Sequence, residues 1–312
     1  MFATNLRTAL SPLLHGFALG SGLSPRLARR LPVGRIMMLH GIGDADLPAR
    51  DLIRNLNWLK RNFQICSLTA LIDCLDRGTP IKHAVALTFD DGLCNHFDVA
   101  YPILRELGVP ATFFVCPDLM DRNAWLWNHE ARARLRTMGD SVLAEFAKLC
   151  GAPRPEPEDI VTWMKDLKLP ERRRIETELR QATPYFAPSA ADHQRFDPIS
   201  IEQLRQMDER LVTVGSHTMS HPILPSLDDK TLDIELAESR AWLERRLDRS
   251  IDLFCYPNGA NDSRVRAAVG RIYRAAVTTE PGFIDAGARD LLGLPRIAMT
   301  ASTATLAWRL WR

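Results

Sequence analysis

The chain has 312 residues, of which 46% are hydrophobic and 25% are charged, and its formal net charge is +2. This composition permits one large globular domain and gives no electrostatic reason to expect nucleic acid as a partner. There is no uninterrupted apolar run of about 18 residues, so no membrane-spanning helix is expected. The six cysteines form no Cys-x-x-Cys pair and lie mostly among apolar residues, which predicts buried thiols in a reducing, cytoplasmic compartment.

Residues 1–34 form a basic lead-in that contains Arg7, Arg26, Arg29 and Arg30 but no acidic residue. Its apolar stretch is interrupted by proline, histidine and glycine, which argues against a secretory signal. Two alternatives remain open for this segment. A basic, partly apolar lead-in can lie on an anionic membrane surface, here at the inner face of the membrane. It can also be a docked helix that covers the base of the fold.

Residues 35–300 alternate between strand and helix patterns, which predicts a parallel α/β arrangement. Helices are expected over 51–62, 98–107 and 231–247, the first and last from leucines at helical spacing. A distorted (β/α) barrel would gather the carboxyl ends of the strands at one face, where barrel enzymes keep their sites. The strands in question end at His40, Asp90, His217 and Cys255-Tyr256. Residues 301–312 are predicted to form a C-terminal tail.

One apolar strand, residues 84–89, leads directly into Asp90, Asp91 and Gly92. Carboxylates at the end of a buried strand either lie at the rim of the core or need a partner such as a metal. The alternative is an Asp-Gly turn that merely ends the strand.

A second apolar strand is followed by His217 and His221, four positions apart. Pro222 disfavours helical backbone at His221, so the two imidazoles are predicted on a strand-to-loop turn. Imidazole and carboxylate together suit Zn²⁺, and also Co²⁺, Ni²⁺ or Fe²⁺. The two strand ends taken together therefore favour a metal site over an ordinary turn.

A long polar and helical insertion extends from about residue 121 to residue 198. Such an insertion from the catalytic face is typical of a lid or substrate-binding subdomain. Trp125 and Trp127 would stack on a ring of a bound substrate, or they would anchor the insertion in a small core of its own, and both alternatives stay open. A second metal site at residues 128–130 is the weaker interpretation of that polar run.

These segments resemble the polysaccharide deacetylases, a family of carbohydrate esterases. The run TFDDG at 88–92 is similar to the family's first motif, and SHTMSH at 216–221 is similar to its second. The strand that ends in His40 resembles the circularly permuted branch, which includes poly-N-acetylglucosamine deacetylases. The resemblance covers about residues 35–300 and implies a distorted (β/α)7-type barrel, the NodB-like deacetylase fold, with a helical insertion. Flanking segments that also fit are 101–104, 108–115 and 254–259.

The resemblance implies a role for each motif residue. Asp91, His217 and His221 would bind a divalent metal, with zinc as the first expectation. Asp90 would be the general base that takes a proton from the attacking water. A neighbouring carboxylate suits this role, because a metal acting as a Lewis acid lowers the pKa of that water. His40, arriving from the N-terminal end of the chain, is the candidate general acid, with a simple strand cap as its alternative.

The sequence departs from the family at the third motif, where the arginine that orients the base is missing from the run Cys255 to Asn258. Arg296, in the last predicted strand at 291–297, is expected to replace it through a charge-assisted hydrogen bond. A surface position is the alternative for that arginine. The main-chain N–H of Asn258 matches the family's oxyanion donor, while Tyr256 would pack either on the sugar or in the core.

The resemblance therefore implies a metal-dependent hydrolase that removes N-acetyl groups from an amino sugar, such as N-acetylglucosamine, in a polysaccharide or glycan precursor. Family relatives also deformylate lipid-linked aminosugars or remove O-acetyl groups, so those reactions stay open. A non-catalytic carbohydrate-binding protein is a third alternative, although such a protein has no need for the base. The expected partner is a carbohydrate or a lipid-linked glycan, and the sequence indicates no oligomeric state.

Overall fold

The structure is a computed structural model that describes residues 2–285, 287–288 and 290–312, with the backbone alone for residues 2–10. The strands are β1 (Val33–Leu39), β2 (Gln64–Ile65), β3 (Ala84–Phe89), β4 (Ala111–Val115), β5 (Val212–Ser216), β6 (Leu253–Cys255), β7 (Ala275–Val277), β8 (Ile284–Asp285) and β9 (Ile297–Ala298). The helices are α1 (Phe2–Gly20), α2 (Leu23–Arg30), α3 (Ala49–Asn62), α4 (Leu68–Asp76), α5 (Tyr101–Leu107), α6 (Pro117–Arg122), α7 (Trp127–Arg136), α8 (Asp140–Cys150), α9 (Pro157–Lys165), α10 (Leu169–Ala182), α11 (Ala190–Phe196), α12 (Ile201–Gln206), α13 (Asp229–Leu247), α14 (Ser263–Gly270) and α15 (Thr303–Arg309).

Parallel strands form one curled sheet in the order β7, β6, β5, β4, β3, β1 and β9. The short strand β2 pairs with β3, and β8 pairs antiparallel with the start of β1. Just before β9, Leu294 forms a parallel bridge to Val277 of β7. Residues 294–298 therefore connect the two ends of the sheet, because Leu294 pairs with β7 while Ile297–Ala298 pairs with β1. This architecture confirms the predicted fold class, a distorted (β/α) barrel of seven parallel strands.

The predicted helices agree with the structure to within a few residues, whereas the predicted strand at 291–297 is much shorter. Only Ile297–Ala298 pairs as a strand, and the bridge at Leu294 stands alone. Pro295 has no N–H to donate to a ladder, so continuous pairing is interrupted there. The predicted helix at 98–107 is also modified, because a π turn at His96–Ala100 precedes α5.

The alternation of side chains along β3 decides which groups face the barrel interior. Val85, Leu87 and Phe89 pack in the larger hydrophobic cluster with the surrounding helices, whereas Ala86 belongs to a smaller cluster on the other face. Strand side chains repeat with a period of two. Thr88 and then Asp90 therefore continue the Ala86 face, which carries the Asp90 carboxylate into the barrel mouth.

The two ends of the chain pack against each other. Arg35 at the start of β1 is fully buried, and it donates from Nε to the main-chain oxygen of Leu310 at 2.8 Å and from Nη2 to that of Ala28 at 2.7 Å. Burial lowers the pKa of Arg35 to about 10. The lead-in helices α1 and α2 both contact α15, so the lead-in is a docked helical layer. Among the described residues, no helix is long and apolar enough to cross a membrane.

Helices α7 to α11 fill the insertion between β4 and β5. Helices α7 to α10 enclose a separate hydrophobic cluster that includes Phe146, Ile160 and Ile175. The insertion then rejoins the barrel directly beside the first motif, because Ile199 donates its main-chain N–H to the Gly92 oxygen at 2.7 Å. A helical unit with its own core is thus anchored next to the carboxylates of β3.

Candidate active site

The polar residues singled out in the sequence lie at the carboxyl ends of the barrel strands. His40 follows β1, Asp90 and Asp91 follow β3, and His217 follows β5. Because the strands are parallel, these ends share one rim of the sheet. Residues that are far apart in the sequence therefore become neighbours.

Arg296 binds Asp90 in the barrel interior. Its Nη1 and Nη2 atoms donate to the two carboxylate oxygens of Asp90 at 2.7 and 2.6 Å. Nε donates to the main-chain oxygen of Thr278 at 2.7 Å, and Nη1 also donates to Thr88 Oγ1 at 2.9 Å. A bidentate pair of this kind fixes the plane of both groups. This is the contact that the sequence predicts for Arg296.

The pKa of Asp90 is set by two opposing effects. Burial alone would raise it, but the charge and hydrogen bonds of Arg296 hold it below its ordinary value. Burial in turn disfavours the charged arginine, while Asp90 more than compensates and raises the pKa of Arg296. Both groups are therefore ionised at neutral pH. A carboxylate has more lone pairs than a bidentate arginine occupies, so Asp90 can still accept a proton.

Asp91 faces the two imidazoles of the second motif. Its Oδ1 lies 3.5 Å from His217 Nε2 and 3.6 Å from His221 Nε2. Asp91 and His221 have positive φ angles of 76° and 57°, a region that non-glycine residues adopt rarely and that is enriched at functional sites. These two turns direct the three side chains towards one point.

This donor set fits a divalent metal. Tetrahedral zinc with bonds of about 2.1 Å separates its ligands by about 3.4 Å, close to the distances from Asp91 to both imidazoles. His217 Nδ1 lies 2.7 Å from the Cys255 main-chain oxygen, so Nδ1 carries the proton that is donated there and Nε2 is the nitrogen available to a metal. His221 Nδ1 is buried and has no hydrogen-bond partner among the described residues.

A second group of potential ligands, formed by Asp90, His217 and Cys255, is less suitable. Its atoms are also close enough to share an ion. However, Arg296 occupies both oxygens of Asp90, and its Nη2 also lies 3.3 Å from the Cys255 sulfur. Burial raises the pKa of the Cys255 thiol, whereas metals bind the thiolate. The Asp91 group is therefore the better metal site.

His40 lies at the mouth of the site. Its Nε2 is 3.8 Å from Asp90 Oδ2, and its side chain is 51% exposed. The buried imidazole of His96 contacts the main-chain oxygen of His40 through Nε2 at 3.1 Å. Burial lowers the pKa of His96 to about 4, so this ring is neutral and donates to that oxygen. The backbone of His40 is thus held while its side chain remains accessible.

The third-motif residues divide between core and cavity. Tyr256 borders the same cavity as Asn258, but it is fully buried, packs against Phe254 and donates its hydroxyl to the Leu292 main-chain oxygen at 2.9 Å. Its side chain therefore favours the core alternative. The strand period explains this, because Cys255 faces inward and Tyr256 outward. Asn258 is exposed and lines the cavity. The following Gly259 has a φ of +70°, and a Cβ there would lie 2.0 Å from Thr279 Oγ1.

The two tryptophans of the insertion pack within it. Trp127 is 8% exposed and lies under the guanidinium of Arg172 at 4.5 Å. Trp125 donates from Nε1 to Asp197 at 2.7 Å and packs against Phe196. Their placement favours the alternative in which they anchor the insertion core. Stacking on sugar rings would require both residues to leave these contacts.

A cavity of about 200 Å³, here named the catalytic cavity, connects the candidate site with the insertion. The barrel contributes the residues already described, and the insertion contributes Asn128, His129, Arg132 and Lys165. The sequence indicated residues 128–130 only as a weak metal site, and it gave no signal for Arg132 or Lys165. No local pattern distinguishes these four side chains from other polar residues of an exposed helix. Only the docking of the insertion brings them to the barrel mouth.

Fold and site together define a class of protein: a distorted (β/α) barrel with an arginine-bound carboxylate and an Asp-His-His cluster at the strand ends. The family model described as polysaccharide deacetylase matches residues 77–148 and 173–274, which is more than half of the chain. The chain belongs to the polysaccharide deacetylase family. His40, Arg296 and the stretch 149–172 lie outside the matched ranges.

One curated relative is YxkH of Bacillus subtilis (strain 168), whose name associates it with polysaccharide deacetylases. It is 22% identical over 261 residues, which cover 82% of this chain and 66% of that protein. The chain thus spans just under two thirds of the length of this relative.

Solved structures of similar architecture include a Streptococcus pyogenes deacetylase, PplD, in complex with acetate. It matches with a TM-score of 0.61 and 20% identity over 90% of this chain and 99% of its own. IcaB from Ammonifex degensii matches with a TM-score of 0.59 and 16% identity over 90% of this chain and 98% of its own. At these identities the matches establish a common fold.

Proposed function

We propose that this protein is a metal-dependent hydrolase that removes N-acetyl groups from an amino sugar in a polysaccharide or a glycan precursor. One observation carries the proposal: Asp90 is buried, ionised and held by Arg296 directly beside the Asp91, His217 and His221 cluster. A structural ion pair alone would not require an adjacent ligand set that opens into a cavity. Membership of the polysaccharide deacetylase family supports the same reaction class.

Asp91, His217 and His221 would hold the metal, with Zn²⁺ as the first candidate and Co²⁺, Ni²⁺ or Fe²⁺ as alternatives. Three protein ligands are the number found in hydrolytic zinc sites that keep one position open. When bound, a divalent metal supplies Lewis acidity that polarises a carbonyl and increases the acidity of water.

Asp90 is proposed as the general base. It takes a proton from the attacking water as the water oxygen bonds to the amide carbonyl carbon. The bidentate contact with Arg296 supports this role, because it fixes the carboxylate and favours its ionised form. A base must be both oriented and deprotonated before the attack begins.

His40 is proposed as the general acid. The amide C–N bond breaks only when the leaving nitrogen gains a proton, and the products are acetate and a free amine. His40 lines the same cavity as Asp90 and is open to solvent, so it can recover its proton between turnovers. The main-chain N–H of Asn258 is the proposed donor to the oxyanion, a contact that is typically worth about 3 kcal/mol.

The decisive experiment measures acetate and free amine after incubation with a panel of N-acetylated, N-formylated and O-acetylated sugars, including lipid-linked ones. The wild-type chain should release acetate from at least one N-acetylated sugar, and Asp90→Asn should lower kcat by about 100-fold or more. Asp98→Asn, a change outside the catalytic cavity, serves as the control. Unchanged turnover in Asp90→Asn would refute the proposed base, and release of formate alone would identify a deformylase.

We also propose that the protein resides in the cytoplasm and contacts an anionic membrane surface through its N-terminal helices. Leu13, Leu14 and Phe17 on α1 are 71%, 58% and 74% exposed. No acidic residue occurs before Asp44 or after Asp290, so the packed ends of the chain are purely basic. An exposed apolar helix face in a segment whose charged residues are all arginines suits the interface of an anionic bilayer. A glycan linked to lipid would meet the enzyme there.

A further inference from the structure

A second cavity adjoins the catalytic cavity on its insertion side. It has a volume of about 350 Å³ and shares four lining residues with the catalytic cavity, namely His40, Asp91, His129 and Arg132. The barrel provides two of these residues and the insertion provides the other two. A substrate that reaches the candidate metal site must therefore pass along the helices of the insertion.

The insertion wall carries more positive than negative side chains. Arg132 and Arg136 both bind Glu158, through Nε of Arg132 at 2.8 Å and Nη2 of Arg136 at 2.8 Å. Two guanidinium groups thus share one carboxylate, which leaves one positive charge uncompensated. Nη1 of Arg132 donates to the Asn128 main-chain oxygen at 3.2 Å, and its Nη2 takes no part in these contacts.

Lys165 increases this excess. It is half-buried at the end of α9 and lines the catalytic cavity. The carboxylates whose charges act on it are Asp91 and Glu158, and within the described part of the chain neither forms an ion pair with it. Burial, followed by the charge of Arg132, lowers the pKa of the Lys165 ammonium. Withdrawing an unpaired ammonium from water costs free energy unless a negative group compensates it.

We propose that Lys165 and Arg132 bind an anionic group of the substrate, a phosphate or a carboxylate, next to the sugar that loses its acetyl group. The inference rests on the proposed function for the position of that sugar. An ammonium offers a compact charge with three N–H donors, and a guanidinium offers a planar fork, so the pair is suited to anionic oxygen atoms. A neutral glycan would leave the Lys165 ammonium without an anionic partner and the shared Glu158 as the sole carboxylate bound to Arg132 and Arg136 among the described ion pairs.

Lys165 lies in the stretch 149–172, which the family model does not match. Arg132 lies within a matched range, and Glu158 links it to α9. The proposed anion site is therefore formed where a segment outside the family model, residues 149–172, meets helix α7, which lies within a matched range. It specifies the substrate class without altering the groups that perform hydrolysis.

Equilibrium binding to the full chain tests this inference. The probes are N-acetylglucosamine, N-acetylglucosamine 1-phosphate and N-acetylmuramic acid, titrated by calorimetry at low and high salt. The wild type should bind at least one anionic sugar more tightly than the neutral sugar, and the preference should fall with salt. Lys165→Gln should reduce that preference about tenfold, the usual effect of losing one charged hydrogen bond, while Lys165→Arg should retain most of it.

Lys168→Gln is the matched control, because Lys168 is exposed on the same insertion outside both cavities. It should keep the wild-type preference. Equal binding of all three sugars by the wild type, no binding of either anionic sugar, or an unchanged preference in Lys165→Gln would each overturn the inference. Tighter binding of N-acetylglucosamine 1-phosphate would indicate a phosphate-linked sugar as the substrate. Tighter binding of N-acetylmuramic acid would indicate a uronate-type or lactyl sugar.

The affinity for an anionic sugar does not depend on whether that sugar is hydrolysed, so the two proposals can fail separately. If no acetate is released from any sugar but the anionic preference depends on Lys165, the anion site stands and the proposed hydrolysis does not. If acetate is released equally well from neutral and anionic sugars and Lys165→Gln binds like the wild type, the proposed hydrolysis stands and the anion site does not.

Discussion

Asp90 and Asp91 are adjacent in the chain, yet their carboxylates have different partners. Asp90 continues the inward face of β3 and binds Arg296, while the left-handed turn at Asp91 directs its carboxylate towards His217 and His221. The positive charge of Arg296 keeps Asp90 ionised, and the two imidazoles lie beside Asp91. One residue type thus has two environments, which is the usual way for a site to separate a base from a ligand.

Replacing Arg296 should affect both stability and turnover. Arg296→Met leaves the buried Asp90 carboxylate without its partner and should lower the free energy of unfolding by about 3–5 kcal/mol. Arg296→Lys keeps a charge but cannot form the planar fork, so it should lower kcat by about 100-fold through misplacement of the base. Urea unfolding and acetate release measure the two effects.

The exposed pair Arg210 and Asp208 provides the control, since it has the same two-point contact at the surface. Arg210→Met should leave both the unfolding curve and turnover close to those of the wild type. Equal effects of Arg296→Met and Arg210→Met would contradict the role of the buried pair.

His217 should be essential for metal binding. In His217→Ala, two of the three proposed ligands remain, so stoichiometric zinc should be lost after dialysis. Elemental analysis by mass spectrometry provides the measurement. His193→Ala is the control, because His193 is a half-exposed histidine on α11 that contacts Asp197. Full metal content in His217→Ala would disprove the ligand assignment.

At the scale of elements, the insertion formed by α7 to α11 behaves as a unit with its own core. Its cluster is separate from both barrel clusters, and its last residues are hydrogen-bonded to the loop after β3. Gly151 ends α8 with a φ of 82°, and Pro157 opens α9, in agreement with the preference of glycine and proline for these positions. Because its core is separate, the amino-acid sequence of the insertion can vary without disturbing the strand ends of the barrel.

A cavity in the insertion core should loosen the insertion alone. Ile160 is fully buried in that cluster, and Ile160→Ala should cost about 2–5 kcal/mol locally. Hydrogen exchange should accelerate across α7 to α11 while β3 and β4 keep their protection. Val142→Ala, at a half-exposed position of α8, should change little. Equal loss of protection in the barrel strands would show that the two cores unfold together.

At the scale of the whole molecule, the two chain ends form a basic layer beside the barrel. Arg35 joins α2, β1 and the end of α15 by hydrogen bonds to main-chain oxygens, and His15 of α1 lies 3.3 Å from Thr305 Oγ1. This docking buries one side of α1, while Leu13, Leu14 and Phe17 remain exposed on it. Exposed apolar groups on a terminal segment that contains arginines and no acidic residue suit an anionic membrane surface.

Vesicle binding tests the proposed membrane contact. The full chain should sediment with phosphatidylglycerol vesicles but not with phosphatidylcholine vesicles, and less so at high salt. Phe17→Asp should reduce the vesicle partition coefficient about thirtyfold, because burial of a phenylalanine contributes about 2 kcal/mol. Leu149→Asp, at an equally exposed position of the insertion, should bind as the wild type does. Identical losses in both variants, or no vesicle binding, would contradict the proposal.

The sequence by itself determined the strand ends and their chemistry. Apolar strands followed by Asp90-Asp91 and by His217 predict polar groups at one rim, because parallel strands align their carboxyl ends. The period of two along each strand explains why Asp90 faces inward, since that alternation is local, whereas the sequence left the placement of Tyr256 open. Local patterns therefore suffice for the fold class and for the residues that share the barrel mouth.

Only the tertiary structure decided the contacts between distant segments. Arg296 reaches Asp90 across 206 positions of the chain, and Lys165 and Arg132 reach the cavity because an independent helical core docks beside β3. Trp127 likewise faces that core and not the sugar site. Such contacts depend on how separately formed elements pack against each other. Helical and strand periodicity report only which face of each element is buried, and not what lies opposite it.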